Sequence, residues 1–90
     1  MRVALFCKDK PGALQIRLDN RPAHLDHIRD SGVVEMAGPL LSEAGEMCGS
    51  LVVLEVGTLA EAQDWATNDP YAKAGLFTSV EIIEWKKVVG

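Results

Sequence analysis

Two short runs constrain this chain more than anything else in it. Residues 3–7 read VALFC and residues 51–54 read LVVL, apolar at every position. Successive side chains of a strand point to opposite faces of a sheet, so such strands offer apolar groups on both faces. Each run is bounded by polar or turn residues and is short for a buried helix. Both are expected to be strands of a sheet whose two faces each need cover, in a chain of only 90 residues.

The rest of the chain supplies cover for one face. Pro11 and Gly12 close the first strand, Arg2–Lys8. From Ala13 to Asp30 the spacing predicts a helix, with Leu14, Leu18, Leu25 and Ile28 on its inward face. Pro22 interrupts it, and Asn20 is an N-cap candidate that would place Pro22 at the second helical position. The segment is thus expected as two helices or one kinked helix. Gly32 ends it. Val33, Val34 and Met36 form a second strand closed by Gly38-Pro39, and residues 38–49 read as a polar loop long enough to shape a site. Residues 50–56 are a third strand. Thr58 and Glu61 form a capping box for a second helix to about Thr67, with Leu59, Ala62 and Ala66 inward and Trp65 beside them. Asn68-Asp69-Pro70 stops that helix and starts a short turn to Gly75, and residues 79–87 read as the last strand.

The order β-α-β-β-α-β, with the first helix in two pieces, predicts a single α+β domain over residues 1–90. It is the ferredoxin-like arrangement, a four-stranded antiparallel sheet with its helices on one face. The second apolar face would be a large exposed patch, which monomers rarely keep. A second copy of the chain is the simplest cover, so a homodimer is expected, sheets face to face, as a dimeric α+β barrel.

Charge narrows the function. A formal net charge of −4 argues against nucleic acid, whose phosphates need a basic surface. No apolar run approaches the roughly 20 residues needed to span a bilayer. The apolar stretch in MRVALFCKDK is too short for a signal peptide, so a cytoplasmic protein is expected. Cys7 and Cys48 lack CxxC spacing and are expected as reduced, buried thiols.

The segment RPAHLDHIRD carries His24 and His27 with Asp26 between them. Zinc takes three or four ligands and two histidines on a helix give two. Asp26 lies about 100° from His27 around a helix, and no Cys/His cluster follows, so no metal is expected. His24 lies on the flank of the apolar stripe, with Arg17 and Arg21 one or two turns earlier; His27 points further toward solvent. His24 has two readings, a proton acceptor at the edge between helix and sheet, or a half-buried histidine filling the edge of the core. Asp69 likewise could cap the turn at Pro70, or orient His24 if the fold brings the two together. Gly38-Pro39 and Gly49-Ser50 read as turn residues, or as a pocket rim offering backbone N–H groups and one hydroxyl. Trp65, Tyr71 and Trp85 read as packing, and Glu43, Glu46, Glu61 and Asp64 as a solvated face.

Taken in order, several short pieces resemble a family. Arg17, Arg21-x-x-His24-Leu25, Ala37-Gly38-Pro39, Gly49-Ser50, Trp65-Ala66, Asp69-Pro70-Tyr71 and Ala74-Gly75 match the pattern of YCII-related proteins over nearly the whole chain. The resemblance implies a ferredoxin-like fold and a dimeric α+β barrel, similar to muconolactone isomerases and small barrel monooxygenases. It implies a histidine–aspartate pair at His24 and Asp69, and arginines at Arg17 and Arg21 that hold an anionic group on a small substrate. Gly38, Pro39 and Ser50 would line the same pocket. His27 is outside the motif. The implied activity is general acid/base chemistry without a cofactor, of lyase, isomerase or hydrolase type, on a small anionic or cyclic compound. The alternative is a non-catalytic module that binds a small ligand or a protein partner in that pocket.

Overall fold

Alternation sorts the apolar strands as their pattern requires. A computed structural model describes all residues, Met1–Gly90. Its elements are β1 (Arg2–Asp9), α1 (Leu14–Ser31), β2 (Val34–Leu41), β3 (Met47–Glu55), α2 (Leu59–Asn68), α3 (Pro70–Lys73) and β4 (Phe77–Glu84). The four strands form one antiparallel sheet in the order β2-β3-β1-β4, the ferredoxin-like α+β arrangement. β1 pairs with β3 so that Val3 faces Leu54 and Leu5 faces Val52. These four, with Cys7 and Val56, pack under Ala62 and Trp65 of α2. A second, smaller cluster joins Ala13, Tyr71 and Leu76.

The other face has no cover within the chain. Phe6, Met36, Ile83 and Trp85 stand 40–49 % exposed there and rim an apolar hollow floored by Leu51 and Val53.

Of its two expected forms α1 takes the single helix, which runs through Pro22. Asn20 is not its cap, since its side chain donates to the Ile16 carbonyl at 2.9 Å. Pro22 and Leu18 are both exposed, so the carbonyl left unpaired by the missing proline N–H can be hydrated. The inward face is also shifted by one residue. Leu14, Leu18 and Leu25 are 41–45 % exposed, whereas Ala13, Arg17 and His24 are buried and Ile28 packs on the core. Arg17 and His24 take inward positions because the fold supplies partners for them there.

β2 also corrects the expected boundaries. It continues through Gly38 and Pro39, which pair with Leu51 and Ser50, and the long loop shrinks to the turn at residues 42–46. Proline is admissible because β2 is an edge strand. Gly45 closes the turn at φ +80°. Gly49 is no turn residue either. It lies inside β3, and a Cβ there would run into the Cys7 carbonyl. β4 starts two residues earlier than expected and ends at Glu84.

The second helix starts at the expected Thr58–Glu61 pair. Thr58 Oγ1 accepts from the Glu61 N–H at 3.2 Å, and Glu61 Oε2 reaches one residue past the cap to accept from the Gly57 N–H at 3.0 Å. Ala62 and Trp65 are buried beneath it, but Leu59 is 41 % exposed rather than inward.

Candidate functional site

The helix α1 and the α2–α3 junction meet at one hydrogen bond. His24 Nδ1 lies 2.8 Å from Asp69 Oδ1, and both residues are buried. Asp69 combines its two readings. It ends α2, and as the N-cap of α3 its Oδ1 accepts the Tyr71 N–H at 3.0 Å. Proline at the next position fixes the entry to α3, so the cap holds the carboxylate still. An ionised carboxylate only accepts, so opposite Asp69 in that form the Nδ1–H is the donor and Oδ1 the acceptor. In the neutral ring Nε2 then keeps its lone pair. The Tyr71 ring stacks on the imidazole at 3.9 Å and 16°, which fixes the ring plane.

Arg17 lies behind this pair. Its Nε and Nη2 donate to the two Asp9 oxygens at 2.8 and 2.7 Å, and Nη2 also donates to Ser50 Oγ at 2.9 Å. Its guanidinium carbon lies 4.8 Å from the centre of the Tyr71 ring. The Arg17–Asp9 ion pair is almost wholly buried, with 3 % and 7 % of the side chains exposed. Three hydrogen bonds within the protein thus engage Nε and Nη2 of the group expected to hold a ligand anion, and Nη1 makes none. Arg21, one turn on, is exposed at the cavity rim.

These residues wall a cavity of about 140 Å³ between α1 and the sheet. Its polar side is Arg17, Arg21, His24 and Ser50, with Tyr71 beside them. Its apolar side is Leu25, Ile28, Ala37, Met47 and Val52, and the β2 residues Gly38 and Pro39 complete it. The chain therefore brings all seven expected site residues to one place except that Asp69 stands behind His24, outside the wall.

His27 diverges from this group. It is half-buried rather than solvent-facing, its Nε2 3.0 Å from the Trp65 carbonyl oxygen and its ring 4.5 Å from the Trp65 ring. No three His, Cys, Asp or Glu side chains converge where a metal ion could sit.

Two roles escaped the sequence reading. Asp9 has no local signal; it meets Arg17 only because the Pro11-Gly12 turn folds α1 back along the end of β1. Tyr71 reads as packing, and only its stacking on His24 marks it as part of the site.

The cysteines also separate. Cys7 is 2 % exposed, and burial, with the nearby Asp69 charge adding to it, pushes its thiol up to about 12. A neutral buried thiol is a poor nucleophile. Cys48, expected buried, is exposed on β3, its thiol 3.5 Å from the Leu40 carbonyl oxygen. A thiol-specific disulfide reagent at pH 8 is expected to label one cysteine rapidly in the native protein and two after denaturation. Cys48→Ser should remove the fast phase, and a fast phase that survives would contradict the burial of Cys7.

The YCII-related domain matches residues 1–86 of the chain. Protein YciI of Escherichia coli is 36 % identical over 97 residues, covering 98 % of this chain and 99 % of that protein. A protein of Emericella nidulans, the derivative of benzaldehyde biosynthesis cluster protein C, is 36 % identical over 72 residues, covering 69 % of this chain and 74 % of its own. Among solved structures, 5-chloro-2-hydroxyhydroquinone dehydrochlorinase from Burkholderia phenoliruptrix, in complex with 2,5-dihydroxybenzoquinone, superposes with a TM-score of 0.86 at 34 % identity, covering 96 % of this chain and 94 % of that one.

Proposed function

The chain belongs to the YCII-related family, and on that footing we propose that it is a lyase-type enzyme that eliminates a small anion from a hydroxylated single-ring compound. One observation carries the reading: a buried histidine, its Nδ1 held by a buried aspartate, lines a cavity sized for one ring. The cavity volume of about 140 Å³ is close to that of an engineered apolar cavity of about 150 Å³ that holds benzene. The family neighbour's reaction name and bound quinone support the same ring size, and the fungal relative's name refers to another such ring.

In the proposed reaction His24 Nε2 accepts a proton from an acidic ring hydroxyl. The electron pair left on oxygen moves into the ring, and His24 returns the proton to the ring carbon that bears the leaving group, giving the keto form. His24 then takes the proton of a second ring hydroxyl; that oxygen's electron pair forms a second carbonyl and the leaving group departs as its anion, leaving a quinone. Asp69 stabilises the imidazolium without taking the proton, and His24 later loses that proton to solvent. Arg21 holds a negative substituent at the rim. Each step uses a residue of the chain.

The proposal includes a homodimer. The uncovered sheet face, with Phe6, Met36, Ile83 and Trp85 exposed on it, is the surface that a second copy would cover. It also includes a reducing, cytoplasmic setting, which suits two unpaired cysteines. No helix is long and apolar enough to cross a membrane.

The test is chloride release. Purified protein with 5-chloro-2-hydroxyhydroquinone should free chloride catalytically above the buffer rate. Tight binding of 2,5-dihydroxybenzoquinone without release from this or related halogenated hydroquinones would favour the binding-module reading. Neither binding nor release would sink the ring-compound reading.

A further inference from the structure

Ser50 sits on β3, opposite Cys7 of β1 and Pro39 of β2, on the sheet face beneath α1. It is 3 % exposed and lines the same cavity as His24. A hydroxyl has one proton to donate and two lone pairs to accept with. One lone pair takes the Arg17 Nη2–H at 2.9 Å, and no protein acceptor takes the proton. The O–H is therefore left for whatever fills the cavity. A cationic donor on its oxygen polarises the hydroxyl and makes it a better donor in turn.

Arg17 is held for this task. Asp9 grips it with two parallel bonds at 2.8 and 2.7 Å, in a geometry that fixes the guanidinium plane. Such a buried pair is a poor stabiliser of a fold, because the charges lose their hydration. Its consequence here is positional: Nη2 is aimed at Ser50.

We propose that Ser50 is the hydrogen-bond donor to the ring oxygen that carries negative charge during the reaction, and that Asp9 and Arg17 are positioning residues for Ser50. The inference rests on the ring-compound reading above and deepens it by naming the ligand class, a phenolate or enolate. His24 and Ser50 stand on different walls of a cavity that fits one ring, so they address different positions of that ring. A donor preorganised in a small, largely buried site strengthens as charge builds on the oxygen it faces. The role of Arg17 changes accordingly, from holding the substrate to tuning the group that does.

4-Nitrophenol is a suitable probe, because its phenolate absorbs where the phenol does not. Nitrobenzene is the matched ring without the hydroxyl. Wild-type protein should bind both and lower the pH at which the bound phenol ionises. Ser50→Ala should weaken phenolate binding by about 10- to 100-fold, the range for a hydrogen bond to a charged group. It should also shift the ionisation midpoint back toward that of the free probe and leave nitrobenzene binding unchanged. Asp9→Asn should move the same midpoint part of the way, with nitrobenzene binding reporting that the cavity is intact. If Ser50→Ala keeps the wild-type preference for phenolate over nitrobenzene, the role of Ser50 is overturned and the ring reading stands. An unmoved midpoint in folded Asp9→Asn would overturn the positioning role of the ion pair. If wild type binds neither probe, the ring reading fails and this inference falls with it.

Discussion

His24→Ala is expected to lower kcat for the proposed elimination by about 10²- to 10⁴-fold, the usual worth of a positioned general base. The variant should still fold. It leaves Asp69 with the Tyr71 N–H as its hydrogen-bond donor and opens space at the helix–sheet boundary. Losing one buried partner costs about 1–3 kcal/mol, which equilibrium unfolding would read. Two changes at Asp69 separate its roles. Asp69→Asn keeps an oxygen able to accept from both His24 and Tyr71, so the cap and the imidazole orientation can survive. It removes the negative charge that stabilises the imidazolium, so kcat should fall by roughly 10²- to 10⁴-fold with little loss of stability. Asp69→Ala loses both bonds and should lower stability as well as rate. Initial rates beside denaturant midpoints check all three. Wild-type kcat in a folded His24→Ala protein would remove His24 from the mechanism.

Phe6→Asp is expected to convert a dimer into a monomer. Phe6 stands near the middle of the uncovered sheet face, 40 % exposed, on the central strand β1. In a lone chain the aspartate stays solvated at a half-exposed position, and its place opposite Glu81 of β4 costs some stability. In a face-to-face dimer it also takes a charge out of water into a patch of Met36, Leu51 and Ile83. A central aromatic anchor of this kind contributes about 2–4 kcal/mol or more to association, so dimer affinity should fall by at least about 30-fold. Sedimentation at micromolar concentration should give about twice the 9.8 kDa chain mass for wild type and a single chain mass for the variant. Thermal stability should fall with dissociation, because a domain this small gains much of its stability from assembly. Wild type sedimenting as one chain would refute the dimer.

Much of the fold is legible in the residues because it follows from local chemistry. The two consecutively apolar strands, the Thr58–Glu61 cap and the Asp69-Pro70 start of α3 depend on neighbours a few positions away, and they form where the pattern places them. Where the reading fails, a distant partner is the cause. Leu14, Leu18 and Leu25 outrank Arg17 and His24 as inward residues on hydrophobicity, yet they face out. Asp9 and Asp69 offset the cost of burying a guanidinium and an imidazole, and hydrophobic ranking contains no term for such partners. Gly38-Pro39 reads as a stop, but an edge strand leaves the missing proline N–H harmless.

The site divides along the same line. The residue types, and through the family pattern their pairing, are written in the chain: a histidine on a helix, an aspartate before a proline, two arginines one turn apart. Their arrangement is not. His24 and Asp69 lie 45 positions apart and come within 2.8 Å only because α1 and α3 pack on each other. That packing also assigns Arg17 to Asp9 and Ser50, and leaves Arg21 at the rim. By itself the sequence determined which elements form and that the sheet would be apolar on both faces, since backbone propensity and alternation act over a few residues. Only the tertiary structure decided which way α1 turns and which carboxylate meets which cation, since those follow from a balance of desolvation and pairing that exists once the chain has closed.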